Sequence, residues 1–171
     1  MEIGVSEPAA VVDRDGFIDF YRTWFPSVAR AAALIVRDLE GGQEIAQEAF
    51  LRLWQRMDRF ESDDHARNFV FRAALNGARS HLRRTRGLRL FLEHGATESS
   101  DSDPAQATDR IAVFEALKAL SVRQRECLVL IDYIGHDAAS AGGLLGIRPV
   151  TVRVHLMRGR ERLRNKLGEE P

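Results

Sequence analysis

The stretch "DAASAGGLLGIRPVTVRVHLMRGRERLR", residues 137–164, has the spacing of a helix-turn-helix. It predicts a short helix, a turn at Gly146, and a second helix whose first turn contains Pro149, where the missing N–H of proline loses no hydrogen bond. The second helix carries a stripe of apolar and small residues that we expect to face a core: Val152, Leu156, Gly159 and Leu163. The stretch therefore predicts an all-helical unit at this end of the chain.

The opposite face of this second helix is basic and apolar. Arg153 and Arg158 can donate paired hydrogen bonds to a guanine edge or grip phosphates, and Val154 and Met157 can touch a thymine methyl group. Such a face fits the major groove of DNA. The alternative is a solvated basic face on a C-terminal helix, but the helix-turn-helix spacing favours DNA binding.

The formal net charge of zero hides a strong segregation of charge along the 171 residues. Residues 65–92 contain seven arginines and no acid, and residues 152–167 contain six basic residues and one acid. Between them, residues 93–109 contain five acids and no lysine or arginine, and they are rich in Ser, Ala and Thr. The pattern predicts two surfaces for a polyanion, joined by a flexible acidic linker.

Apolar periodicity assigns nearly everything else to helix, so the predicted fold class is all-α with two small helical domains. Gly41 and Gly42 are predicted to separate the first two helices, and residues 59–65 to break the chain before a third helix from about residue 66 to 86. Four more helices are predicted at residues 111–120, 124–134, 138–145 and 150–167. The predicted domains are an N-terminal tail (1–16), a helical bundle (17–90), the acidic linker (91–109) and a C-terminal unit (110–168).

Aromatic residues lie beside arginines in the N-terminal half. Phe69 and Phe71 alternate with arginines in the third helix, and Phe60 lies in the preceding loop. Aromatic rings next to cations suit unpaired bases, which stack on them at ~1–3 kcal/mol each. The alternative is that the rings belong to the core; we favour the core for Phe69 and Phe71, and base stacking for Phe60.

Several classes of function are disfavoured by composition. A single cysteine, Cys127, excludes an internal disulfide and is expected to be buried, and the five histidines lack metal-ligand spacing. No Ser/His/Asp or Cys/His arrangement and no glycine-rich phosphate loop is present, so we predict no catalytic residue, metal or cofactor. No apolar run reaches the ~20 residues of a membrane span and the first residues are unlike a signal peptide, so we expect a cytoplasmic protein without membrane insertion.

Four motifs in order resemble one family. "EIAQEAFLRLWQRMDRF" (44–60), "ARNFVFRAALNGARSHLRR" (66–84), "LKALSVRQRECLVLIDYIG" (117–135) and the helix-turn-helix are similar to regions 2 and 4 of an extracytoplasmic-function (group IV) sigma factor of bacterial RNA polymerase. The resemblance covers about residues 17–90 and 110–167. It implies a non-catalytic initiation factor that recruits core polymerase to a subset of promoters.

The resemblance also implies three contact sites. The second helix would dock on the clamp helices of the largest polymerase subunit through Glu44, Gln47, Glu48 and Arg52. The loop at residues 59–67 and the third helix would receive the melted, single-stranded -10 element, through Phe60, Arg72, Asn76, Arg79, Arg83 and Arg84. The last helix would read the duplex -35 element through Thr151, Arg153, Val154, Met157 and Arg158. The linker would thread the RNA exit channel, and an anti-sigma factor would clasp both modules in a closed form.

The chain departs from the family pattern at four places. Ser80 replaces a common aspartate, and Ser121 replaces a proline before the region 4 helix, where serine can still cap. Gly142 and Gly143 stand where stronger helix formers are usual, at an expected cost of ~1 kcal/mol each relative to Ala. Arg148 replaces a small polar cap before the last helix.

The competing interpretation is a conventional helix-turn-helix repressor or activator, with a dimerising N-terminal domain that binds duplex operators unaided. Such a regulator has no use for the second arginine and aromatic segment. For the sigma factor we expect poor promoter binding by the free chain. A linker of about 20 residues spans only ~25 Å on average, whereas the two elements lie ~85 Å apart.

Overall fold

The computed structural model describes residues 16–91 and 112–168, and all regular structure in these ranges is helical. The N-terminal module contains α1 (Phe17–Val36), α2 (Leu39–Trp54), a 3-10 turn (Met57–Arg59) and α3 (Asp63–Phe91). The C-terminal module contains α4 (residues 112–118), α5 (Val122–Leu128), a π turn (Val129–Tyr133), α6 (Ala138–Leu145) and α7 (Pro149–Leu167). The all-α prediction is confirmed.

The prediction that Gly41 and Gly42 separate the first two helices is wrong. Both glycines are buried within the first turns of α2, and the chain reverses at Arg37, whose φ is 62°. A Cβ atom on Gly42 would lie 2.5 Å from the backbone nitrogen of Ala33. The glycine pair therefore serves close packing of α2 on α1, and this contact outweighs the low helix propensity of glycine.

The third helix is longer than predicted at both ends. It begins at Asp63, inside the predicted break, because the Ser62 hydroxyl accepts a hydrogen bond from the His65 backbone N–H (3.3 Å) and two acids occupy the first turn, where the helix dipole favours negative charge. It ends at Phe91, at the start of the predicted linker. The rest of that linker, and the predicted tail up to residue 15, lie outside the described residues.

The C-terminal module follows its expected caps closely. Ser121 forms a capping box with Gln124, since its hydroxyl accepts from the Gln124 N–H (3.3 Å) while its own N–H donates to the Gln124 side chain (3.0 Å). Pro149 lies in the first turn of α7, and Arg148 makes no side-chain cap. The helix predicted at residues 124–134 instead widens into the π turn, which the periodicity does not indicate.

The two glycines of α6 differ in role. A Cβ on Gly142 would lie 2.7 Å from the Ile147 carbonyl oxygen, so this glycine lets the turn at Gly146, whose φ is 68°, close back over the helix. Nothing lies within 4 Å of a Cβ on Gly143. Packing therefore explains why a residue of low helix propensity stands at position 142, but it does not explain the glycine at position 143.

The two modules pack directly on each other. α1 and α3 contact α5, the π turn and α6, and buried residues of both modules form one continuous hydrophobic cluster. Cys127 is fully buried, as expected, and burial raises the pKa of its thiol to about 11. This packing sets the arrangement of the candidate site.

Glycine substitutions provide a matched test of this packing. Gly42→Ala should destabilise the protein by ~1–3 kcal/mol, because the added methyl group collides with the backbone of α1. Gly143→Ala should stabilise it by ~0.5–1 kcal/mol, because it raises helix propensity in open space. Urea unfolding of both variants measures the difference, and a neutral Gly42→Ala would contradict the packing described for α2.

Candidate nucleic-acid interface

α7 presents the outward face that its sequence predicts. Val152, Leu156 and Gly159 are buried and Leu163 is half-buried, whereas the opposite side of the helix faces solvent. That exposed side contains Arg153, Val154, Met157 and Arg158, and Thr151 beside it is half-buried. The five residues therefore form one surface that contains two cations and two exposed apolar side chains. Such a surface suits contact with base edges and phosphates.

An ion pair holds α7 against the π turn. The Arg160 guanidinium donates to both carboxylate oxygens of Asp132, with Nε 3.0 Å from Oδ2. The π turn places Asp132 opposite α7, so it contributes to fixing the angle at which the outward face is presented. Periodicity gave no signal for this residue, because the turn itself was not predicted.

Four of the predicted -10 residues form one stripe along α3. Arg72, Asn76, Arg79 and Arg83 are spaced at three and four residues, so they lie on the same face of the helix. Arg84 lies off this stripe and lines the groove between α2 and α3, beside Glu44 and Glu48. The structure thus brings four of the six residues together and separates Arg84 from them.

The C-terminal module contacts this stripe at Arg72 and Arg79. Arg79 donates to the Glu126 carboxylate from Nε (2.6 Å) and Nη2 (3.2 Å), and its Nη1 donates to the Asn76 side-chain oxygen (3.2 Å). Arg72 Nη2 lies 3.4 Å from the Gly143 carbonyl oxygen. Three side chains predicted for DNA are therefore engaged within the chain.

Glu126 is the centre of this contact. Its side chain is fully buried and also accepts from Arg123 Nη1 at 3.0 Å. A buried carboxylate requires such pairing, because removing it from water without a partner costs several kcal/mol. Sequence reasoning missed Glu126, since the pair joins residues 47 positions apart.

The phenylalanines divide between core and surface. Phe71 is buried, as favoured from the sequence, and Phe69 is half-buried. Phe60 is also half-buried and packs on Phe69, with ring centroids 5.0 Å apart. One side of Phe60 is thus supported by protein while part of the ring remains accessible for stacking.

The predicted polymerase residues share the outer face of α2. Glu44, Gln47, Glu48 and Arg52 are all exposed, and Arg52 Nε donates to Glu48 at 2.8 Å. Leu51 and Trp54, 50% and 39% exposed, lie on the same helix. An apolar centre with a polar rim is typical of protein interfaces, so Leu51 is a further candidate for this surface that the sequence analysis did not select.

A histidine lies where the two modules meet. His136, in the loop after the π turn, packs edge-on against Phe71 with ring centroids 5.6 Å apart, and its buried Nε2 atom has no hydrogen-bond partner among the described residues. Burial lowers the pKa of His136 below its ordinary 6.5, and the Arg67 cation on α3 lowers it further, whereas Asp137 raises it. The neutral imidazole is therefore the form that fits this interface.

Within the described residues, no three or more His, Cys, Asp or Glu side chains are grouped to hold a metal ion. None of the described helices is long and apolar enough to cross a membrane.

Comparison with known proteins identifies both modules. Residues 20–87 match the family model of sigma-70 region 2, and residues 110–163 match that of sigma-70 region 4. The chain is 32% identical over 162 residues to the RNA polymerase sigma factor CarQ of Myxococcus xanthus, covering 91% of each chain. It is 29% identical to the ECF RNA polymerase sigma factor SigM of Mycobacterium tuberculosis, covering 91% of this chain and 79% of SigM.

Solved structures of other proteins share the fold, as two examples show. The sigma factor RpoE of Bartonella quintana, in complex with the anti-sigma factor NepR, superposes with a TM-score of 0.77 at 23% identity, covering 92% of this chain and 99% of RpoE. CnrH, in complex with the cytosolic domain of CnrY, gives a TM-score of 0.73 at 21% identity, covering 93% of this chain and 92% of CnrH.

Acid should loosen the contact between the modules. When the modules separate, His136 becomes exposed and takes up a proton below pH 6.5, whereas the packed imidazole resists protonation. The contact between the modules is therefore most stable above that pH and weakens as the pH falls. Small-angle scattering from about pH 7.5 to 5.5 should show the radius of gyration increasing. His136→Gln should flatten this response, whereas His155→Gln on α7 should leave it intact; an equal response in all three proteins would contradict the assignment.

Proposed function

We propose a division of labour between the two modules of this chain, which belongs to the extracytoplasmic-function sigma factors of RNA polymerase. Sigma factors of this family start transcription at specific promoters by binding core polymerase and promoter DNA. In our proposal α2 binds the polymerase, α3 receives the melted -10 strand, and α7 reads the duplex -35 element. We place this activity in the cytoplasm, where the polymerase acts.

One observation carries the proposal for α7. The buried stripe of α7 packs on α5 and α6, and the arginines and apolar side chains on the opposite face remain exposed to solvent. A helix held in this way can enter the major groove with Arg153, Val154, Met157 and Arg158 directed at the bases. Thr151, in the first turn, would contact a phosphate or a base.

The role of α3 is supported by its stripe of cations and by Phe60. Arginines spaced along one helix face can follow a phosphate backbone, while Asn76 and the Phe60 ring supply hydrogen bonds and stacking for bases that have left the duplex. Arg84 would act at the α2 side of the helix. The acidic linker residues would follow the RNA exit channel of the polymerase.

The role of α2 is supported by its exposed face. Glu44, Gln47, Glu48 and Arg52 lie around Leu51 on the exposed face of α2, and Glu44 and Glu48 also line the groove beside α3. We propose the clamp helices of the largest polymerase subunit as the partner. An anti-sigma factor is proposed as a second partner, because RpoE, which shares this fold, was solved in complex with the anti-sigma factor NepR.

Charge reversal tests the docking of α2. Glu44→Lys/Glu48→Lys should abolish co-purification with core polymerase, because a complementary surface would meet two like charges. Asp19→Lys/Glu115→Lys is the control, because it makes the same change in charge at exposed sites. The Glu44/Glu48 variant loses one surface ion pair, Glu48 with Arg52, and the control loses two, Asp19 with Arg22 and Glu115 with Lys118. The free energy of unfolding of both variants should stay within ~0.5 kcal/mol per substitution of the wild-type value. Normal core binding by the Glu44/Glu48 variant would disprove this assignment.

Alanine substitutions separate the two DNA contacts. Arg153→Ala or Arg158→Ala should weaken binding of the holoenzyme to its promoter by ~1–3 kcal/mol at one -35 base pair if the contact is bidentate, or equally on all sequences if it is to phosphate. Asn76→Ala should instead impair opening of the -10 region, measured by permanganate reactivity of unpaired thymines. Arg30→Ala, on the outer side of α1, controls for loss of charge. An Asn76 variant that opens promoters normally but loses -35 binding would contradict the division of labour.

A further inference from the structure

The Arg79 guanidinium is occupied in a way that imitates nucleic acid. Arginine binds carboxylates and phosphates with the same geometry, donating two parallel hydrogen bonds from its planar fork. Here Nε and Nη2 both donate to the two oxygens of Glu126, and Nη1 holds Asn76. A DNA phosphate that approached this fork would have to displace the carboxylate.

We propose that Glu126 is an internal competitor of promoter DNA, whose carboxylate occupies Arg79 and excludes the -10 strand from this guanidinium until the C-terminal module is drawn away. This rests on the proposed role of α3. The C-terminal module contacts the stripe at two positions: Arg72 Nη2 lies 3.4 Å from the Gly143 carbonyl oxygen of α6, and Arg79 pairs with Glu126 of α5.

The contact is built to be released. Glu126 is held from within its own helix by Arg123 at 3.0 Å, so it keeps one partner when α3 leaves. Arg125, next to it and 4% exposed, has buried Nε and Nη1 atoms without a hydrogen-bond partner among the described residues. Burial and the Arg37 cation, at the end of α1, lower the pKa of Arg125 to about 10, whereas Glu126 raises it. Buried N–H groups without an acceptor oppose the packing of the two modules, as does His136 when it is protonated.

The test compares Glu126→Gln with Glu115→Gln in the full chain. Both remove one negative charge from the C-terminal module, but Glu115 is exposed and pairs with Lys118 at the surface. The open fraction is the share of molecules in which the two modules have separated, and it is measured from the distance between spin labels at Gln55→Cys and Asn165→Cys. Both positions are exposed; Gln55 lies at the end of α2 and Asn165 in the last turn of α7. Unlabelled proteins are titrated with a fluorescent random-sequence single strand of about 16 nucleotides.

Glu126→Gln should raise the open fraction about tenfold or more, and tighten single-strand binding by the same factor, because apparent affinity scales with the competent fraction. Glu115→Gln should change neither by more than about twofold. Arg79→Gln should open the chain without the gain in DNA binding. The double variant Arg79→Gln/Glu126→Gln should open no further than either single variant, since both remove the same contact.

The outcomes separate the inference from the function it rests on. A Glu126→Gln chain that keeps the wild-type distance distribution overturns the inference. If this variant loses helix content, Arg79→Gln, which leaves the C-terminal module unchanged, decides whether breaking the pair opens the chain. Opening without any gain in single-strand binding supports the contact as a lock but contradicts the -10 role of α3.

Discussion

The burial of the Glu126 carboxylate is the constraint on which the arrangement of the two modules depends. A fully buried anion must be paired, and one of its two partners, Arg79, comes from the other module. Satisfying Glu126 therefore fixes α5 against the middle of α3. The same docking brings α6 to Arg72, while Arg79 also donates to Asn76 within α3.

The interface between modules differs in kind from the packing inside them. Within the N-terminal module α2 meets α1 so closely that Gly42 leaves no room for a methyl group, and such a contact has no alternative arrangement. Between the modules, charged pairing is opposed by the unpartnered guanidinium atoms of Arg125 and by the buried imidazole of His136. A polar interface with such opposing contributions can separate while both helical modules keep their cores.

Local sequence patterns predicted the features whose causes are local. The stripe on α7, the Ser121 cap and the burial of Cys127 follow from residues within one or two helical turns, and the structure confirms them. The predicted break at Gly41 and Gly42 failed because glycine propensity is a weak preference, which a close contact with Ala33 on another helix overrides. The π turn and the role of Glu126 depend on tertiary contacts, and the Arg79 pair spans 47 residues, so no periodicity could show them.

If Arg79 on the α3 stripe binds either Glu126 or DNA, the two contacts exclude each other. Every partner of the chain then acts on one equilibrium, between the closed state, in which the modules are packed together, and the open state, in which they are separated. A partner can shift that equilibrium only by binding one state better than the other. Core polymerase that holds α2 and places α7 on a distant duplex element would bind the open state, and would supply the free energy that separates Arg79 from Glu126. An anti-sigma factor that spans both modules would bind the closed state, and by reciprocity its affinity would fall whenever DNA occupies α3. Control of initiation would then require no change within either module, only a choice of which anion the Arg79 guanidinium meets.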